Sequence, residues 1–118
     1  YFLLKILWID HKAKLIKIID GDTIDAEIDL GFGIKVKKRV RFLGINAPET
    51  RTRDLHEKRA GLRAKSRLEA LFNASKGIFT LKSHGIGKYG RCLGEIYIDK
   101  VNVNKLLLSE GLVTRYQQ

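Results

Sequence analysis

Methionine is absent from this chain of 118 residues, and cysteine, proline and tryptophan occur once each, as Cys92, Pro48 and Trp8. A single cysteine excludes an intramolecular disulfide. His11, His56 and His84 are scattered, and none stands at zinc-ligand spacing from another or from Cys92, which argues against a histidine-built metal site. Long apolar runs are also missing. The opening run Tyr1 to Ile9 is too short to span a bilayer, Lys5 interrupts it, and it lacks the basic leader and small-residue cleavage site of a complete signal peptide. It is expected to add a strand to the domain, and no membrane insertion is expected of this chain. With no methionine even at its start, the chain is expected to be processed or part of a longer product. That product would be secreted or envelope-associated if an export signal lies upstream, and cytoplasmic otherwise.

Acid is the scarcer charge. Lys and Arg total 23 against 13 Asp and Glu, a net charge of +10 with a pI near 9.9. Such a surface attracts polyanions, nucleic acid above all, through phosphate neutralisation and counterion release. The apolar fraction, 44%, is that of a globular protein. No linker, repeat or low-complexity segment divides the chain, so one domain over residues 1–118 is expected, acting as a monomer.

Lys14 to Ile19 is short and β-branched and ends at the turn signal Asp20-Gly21. Thr23 to Leu30 alternates, with Ile24, Ala26, Ile28 and Leu30 on one face and Asp25, Glu27 and Asp29 on the other. After Gly31-Phe32-Gly33 the alternation resumes, with Ile34, Val36, Val40 and Phe42 inward and Lys35, Lys37, Arg39 and Arg41 outward. Lys38 breaks the inward face and marks a candidate bulge. Three short strands joined by tight turns argue for an antiparallel meander. A charged stretch, Thr50 to Lys58, leads into a helix with apolar positions Ala64, Leu68, Leu71 and Phe72, capped by Thr52 or Asp54.

Ile78 to Lys82 and Arg91 to Ile98 read as further strands joined by the loop Ser83 to Gly90, and Val101 to Val103 follows the turn Asp99-Lys100. Asn104 and Gly111 bracket a last short helix as N-cap and C′ residue. Five short strands and two to three helices in this order suit an α+β β-barrel with helices, the five-stranded Greek-key OB-fold. Gly85 to Gly90 spells a Gly-x-Gly-x-x-Gly fingerprint, but a strand rather than a helix follows it, so it is no nucleotide-binding loop.

The segment Arg41-Phe42-Leu43-Gly44-Ile45-Asn46-Ala47-Pro48-Glu49 carries an arginine, an oxygen ligand and a carboxylate around the only proline. Proline locks its own φ and pushes Ala47 out of the helical region, which stiffens the corner that bears Glu49. Asp20-Gly21-Asp22-Thr23 lies upstream, where Asp22 offers a hard oxygen to Ca²⁺ or Mg²⁺ with Asp20 behind it. Arg91 follows Lys88-Tyr89-Gly90. Taken singly these are turn residues and solvated cations; together they point to a metal ion and a phosphate.

Ile18 to Thr23, Arg41 to Glu49 and Lys88 to Arg91, in that order, with a tail from Val103-Asn104-Lys105 to Glu110-Gly111-Leu112, resemble the staphylococcal nuclease (thermonuclease) family over residues 12–116. The resemblance implies an OB barrel and metal-dependent, usually Ca²⁺-dependent, endonucleolytic cleavage of phosphodiesters in DNA, RNA or both. It implies that Asp22 and Asn46 ligate the ion with the Ala47 backbone carbonyl. Glu49 would position or deprotonate the attacking water, Arg41 and Arg91 would grip the scissile phosphate, and Lys88 and Tyr89 would contact a neighbouring nucleotide. Asn46 stands where the best-known member carries an aspartate; the amide keeps an oxygen and loses a charge. The alternative is a catalytically inactive OB module that binds single strands through its basic groove, Tyr89 and Tyr116. The paired carboxylates count against it, because they repel a polyanion.

Overall fold

The structure is a computed structural model that describes residues 10–117. The strand expected over residues 1–9 lies outside the described residues. The elements are β1 (Asp10–Asp20), β2 (Thr23–Gly31), β3 (Ile34–Phe42), β4 (Ile45–Asn46), α1 (Leu55–Ala74), β5 (Ile78–Ile86), a 3₁₀ turn (Lys88–Gly90), β6 (Cys92–Ile98), β7 (Val101–Asn102), α2 (Val103–Ser109) and β8 (Thr114–Arg115).

The first three strands form the expected meander, and β1 also pairs antiparallel with β5, and β5 with β6. A single parallel pairing, Val40 to Phe42 of β3 against Cys92 to Gly94 of β6, closes the circuit β1–β2–β3–β6–β5. This is the five-stranded OB barrel with two α-helices. The seam is short, and Ile34 to Arg39 of β3 pair with β2 alone.

Alternation explains most of the wall. Ile24, Ala26, Ile28, Val40 and Phe42 are buried, and they meet Leu81 and Ile96 from the other strands. Helix α1 buries Gly61, Ala64, Leu68 and Phe72 along one stripe, and Phe72 packs edge-to-face on Phe79 with centroids 5.4 Å apart. Full burial of each large apolar side chain contributes about 1.5–3 kcal/mol. Outside, the acids of β2 face the bases of β3, Asp25 opposite Arg39 and Glu27 opposite Lys37. Arg39 holds Asp25 through two hydrogen bonds of 2.9 and 3.2 Å, and this pairing lowers the Asp25 pKa.

Four local expectations are corrected. Lys38 marks no bulge: it pairs in regular register with Ala26 and is simply exposed. Leu30 and Ile34 are exposed, since the β2–β3 hairpin runs past the barrel and leaves its tip, with Phe32, in solvent. Strand β5 continues to Ile86, so the loop that follows it is shorter than the alternation suggests. The N-cap of α2 is Asn102, whose side chain accepts from Lys105 N–H, and not Asn104. Asp54 caps α1 as expected, accepting from the His56 and Glu57 amides.

Asn104 is buried for a different purpose. Its Oδ1 accepts from the Ile96 amide, and its Nδ2 donates to the carbonyls of Leu43 and Gly94. One amide thus bolts the end of β3 and the middle of β6 to α2 where the barrel closes. Among the described residues, no helix is long and apolar enough to cross a membrane.

Candidate active site

The site is assembled where β1 turns into β2 and β3 runs out into the proline corner. The Asp22 carboxylate is buried there. Its Oδ2 accepts from the Ala47 amide at 2.7 Å and lies 3.3 Å from Arg41 Nη1, while its Oδ1 accepts from the Thr23 hydroxyl at 2.8 Å. The Asp20–Thr23 turn and the proline corner are therefore joined through one carboxylate.

Arg41 is not on the solvent face that alternation assigns to it. It is buried at the mouth of the barrel, where β4 and β8 pair across it and Tyr116 lies 5.6 Å over its guanidinium. Nη1 donates to the carbonyls of Ile45 and Phe42, and Nη2 donates to Asn46 Oδ1 at 3.1 Å. This uses the end of the fork. The Nε–Nη2 edge makes no hydrogen bond from Nε to a described residue and keeps one Nη2 proton spare. Arg39 and Arg67 each use this same edge to grip a carboxylate bidentately. Such an edge matches a phosphate as well as a carboxylate.

Glycine permits the close packing behind the corner. A Cβ on Gly61 of α1 would lie 2.7 Å from the Pro48 carbonyl oxygen and 2.8 Å from that of Glu49. A Cβ on Gly21 would lie 2.6 Å from Cβ of Ala64 and 3.1 Å from that of Ala47. Turn, corner and helix meet only because these positions are bare. Glu49 itself is exposed and makes no side-chain hydrogen bond to a described residue. Thr50, beside it, donates to Asp20 Oδ1 at 2.7 Å.

Asp20 also borders a groove of about 790 Å³ that runs along the barrel past Lys37, Lys38, Tyr89 and Arg91. Tyr89 is fully extended into solvent on a left-handed backbone (φ 62°), with the Arg91 guanidinium 5.7 Å over its ring. The side chain of Lys88 is outside the described atoms. The structure thus links Ala47 to Asp22, and Asp22, Asn46 and Tyr116 to Arg41, and ties Asp20 to the Glu49 corner. Tyr89 and Arg91 stand with Asp20 on the adjoining groove.

The possible ligands are all oxygens: the Asp22 carboxylate, the Asn46 amide and the Ala47 carbonyl. Asp22 Oδ1 and Asn46 Oδ1 each have one hydrogen bond and so each keep a lone pair. Among the described residues no three His, Cys, Asp or Glu side chains converge. The set fits a hard cation that takes most of its shell from water or phosphate oxygen.

Thr50 and Gly61 were given no role by sequence, and Gly21 and Thr23 were named only as members of the Asp20–Thr23 motif. Gly61 alone carries a signal there, as an isolated glycine inside a helical pattern that costs about 1 kcal/mol relative to alanine unless packing requires it.

The fold is that of a closed OB barrel, with an arginine and an acidic turn joined at its mouth. The family model described as staphylococcal nuclease homologue matches residues 39–118. The chain is 29% identical over 119 residues to a micrococcal nuclease from Shigella flexneri, covering 93% of this chain and 61% of that protein. It is 34% identical over 108 residues to the endonuclease YncB from Bacillus subtilis (strain 168), covering 86% and 49%. Protein ParB from Escherichia coli is 29% identical over 119 residues, covering 93% and 60%. The chain therefore belongs to the staphylococcal nuclease family, and it spans from about half to three-fifths of the length of these curated relatives.

Proposed function

We propose that this chain is a metal-dependent endonuclease that hydrolyses phosphodiester bonds in DNA, RNA or both, with Ca²⁺ as the ion and Mg²⁺ as its nearest substitute. The observation that carries this reading is the outward Nε–Nη2 edge of Arg41, which keeps its Nε proton and one Nη2 proton for a ligand while Nη1 and the other Nη2 proton hold it rigid beside an oxygen-only ligand set. Asp22, Asn46 and the Ala47 carbonyl would hold the ion, which supplies charge neutralisation at the phosphate oxygens when bound. Asp22 gives it one full negative charge, and Arg41 already competes for that charge. Weak binding to the free protein follows, with substrate phosphate completing the shell.

The Arg41 edge and Arg91 donate to the non-bridging oxygens of the scissile phosphate, where negative charge gathers. Glu49 accepts a proton from water as the water oxygen bonds to phosphorus and the bond to the leaving oxygen breaks. The leaving oxygen takes its proton from solvent. Asp20 and Tyr89 border the path of the strand along the basic groove, with an adjacent base against Tyr89. Tyr116 stiffens Arg41 by stacking.

The test is cleavage of labelled single-stranded DNA with Ca²⁺, Mg²⁺ or chelator, by the wild type and Glu49→Gln. Chelator-sensitive cutting that the variant loses by about 10²-fold or more, while it still binds DNA, is the expected result. Equal cutting by both proteins removes Glu49 from the mechanism. Binding without cutting by the wild type would favour the inactive OB module, for which the exposed Tyr89 and its groove would suffice.

A further inference from the structure

The proline corner is fastened to the Asp20–Thr23 turn at two points. The Ala47 amide donates to Asp22 Oδ2 at 2.7 Å, and the Thr50 hydroxyl donates to Asp20 Oδ1 at 2.7 Å. Pro48 and Glu49 form the short arch between the pins. One side of that arch is stiffened by the fixed φ of proline. Its carbonyls rest against bare Gly61, so the helix blocks retreat from behind. The Glu49 side chain, by contrast, has no hydrogen bond to a described residue that would set its place. Its carboxylate is positioned by the backbone alone.

We propose that Thr50 is a positioning residue for Glu49, the second pin that sets the spacing between the catalytic carboxylate and the metal-side acids. The inference rests on the nuclease reading for Glu49. Its geometry stands apart from that reading, because the pin joins the arch to the turn whatever the arch does. With the hydroxyl gone, the arch keeps only the Ala47 pin and pivots about Pro48. Asp20 loses its partner as well and turns toward the groove. A loss of register of this kind lowers the rate of the chemical step rather than the binding of the strand.

The experiment compares Thr50→Val, Thr50→Ser and wild type, with Glu49→Gln and the double variant Thr50→Val/Glu49→Gln. Steady-state cleavage of a labelled single-stranded oligonucleotide with Ca²⁺ is expected to show kcat lowered roughly tenfold in Thr50→Val, with KM within about twofold. Thr50→Ser should recover most of the loss. Valine should cost nothing further once Glu49 is glutamine, since the pin acts through that carboxylate. Amide exchange by NMR, with chelator present, is the reading that needs no activity. The Ala47 amide, which donates to Asp22 Oδ2, should exchange about tenfold faster in Thr50→Val, with the α1 amides unchanged. Unchanged exchange overturns the pin even in a protein that does not cut. Unchanged kcat, no recovery by serine, or an undiminished valine effect in the Glu49→Gln background overturns its catalytic role. Absence of chelator-sensitive cutting by the wild type overturns the nuclease reading and the catalytic role with it.

Discussion

Replacing Gly61 with alanine sets two physical effects against each other with opposite signs. In an ordinary helix interior the change stabilises, because alanine exceeds glycine in helix propensity by about 1 kcal/mol. Here the new methyl would sit 2.7 Å from the Pro48 carbonyl oxygen, 2.8 Å from that of Glu49 and 2.9 Å from the Glu49 carbonyl carbon. All three are backbone atoms, so no rotamer change relieves the contact. Reaching ordinary van der Waals separation, from 3.4 Å upward, requires helix and corner to part by roughly 0.7 Å, and overpacking of this kind typically costs about 1–3 kcal/mol. Net destabilisation of up to about 2 kcal/mol follows, a fall in Tm of several degrees for a chain of this size. A misplacement near 1 Å costs on the order of 10²-fold in rate, so about half that shift at Glu49 should lower kcat roughly tenfold. Thermal unfolding followed by circular dichroism, with cleavage kinetics on the same preparations, measures both. A Tm that rises by the few degrees propensity alone supplies, with kcat unchanged, would refute the close approach and the role assigned to the arch.

Two further outcomes are expected. Asn46→Asp restores a second charge to the ligand set and should tighten Ca²⁺ binding to the free protein by about tenfold or more in calorimetric titration, an effect of ligand charge count; identical isotherms would mean that residue 46 is not a ligand. Glu95 offers a pH test. Its burial works to raise its pKa, but hydrogen bonds from Asn102 and His84 outweigh this and hold it below the ordinary range. Its contribution is thus present above the unfolded carboxylate pKa, near 4.3, and is lost as pH falls through the folded value. Glu95→Gln should be less stable than wild type at pH 7 by urea denaturation, and the gap should narrow toward pH 3. A constant gap would show that the Glu95 charge carries none of that stability.

The barrel wall was legible in sequence where a strand sees the core on one face and water on the other. Ile24, Ala26 and Ile28 show this, and the helical stripe Ala64, Leu68 and Phe72 obeys the same logic. Alternation failed at both ends of the β2–β3 pair, for opposite reasons. Leu30 and Ile34 keep the pattern beyond the barrel, where there is no core to receive them. Arg41 falls on the outward face, but β4, β8 and Tyr116 fold over that end and bury it. Asn104 resembles an N-cap locally, yet three backbone groups at the barrel seam claim its amide, and Asn102 takes the cap. The candidate site residues were recognisable as motifs in order along the chain. Thr50 was not, because a threonine beside a glutamate has no local pattern; only the return of the corner onto Asp20 gives its hydroxyl a partner.

The parallel seam between β3 and β6 also bears on how the protein gains its activity. Arg41 belongs to the meander made by the first half of the chain, and Arg91 immediately precedes the strand that the second half lays against it. The proposed shared grip of Arg41 and Arg91 on one phosphate therefore requires Val40 to Phe42 to meet Cys92 to Gly94. That meeting joins residues far apart in sequence, so its loop-closure cost is not met by local contacts. A nascent or partly opened chain therefore carries basic strands that attract nucleic acid and lacks the paired grip that would cut it. On the proposed nuclease reading, loosening the β3–β6 seam should leave a protein that still binds nucleic acid but no longer cuts it.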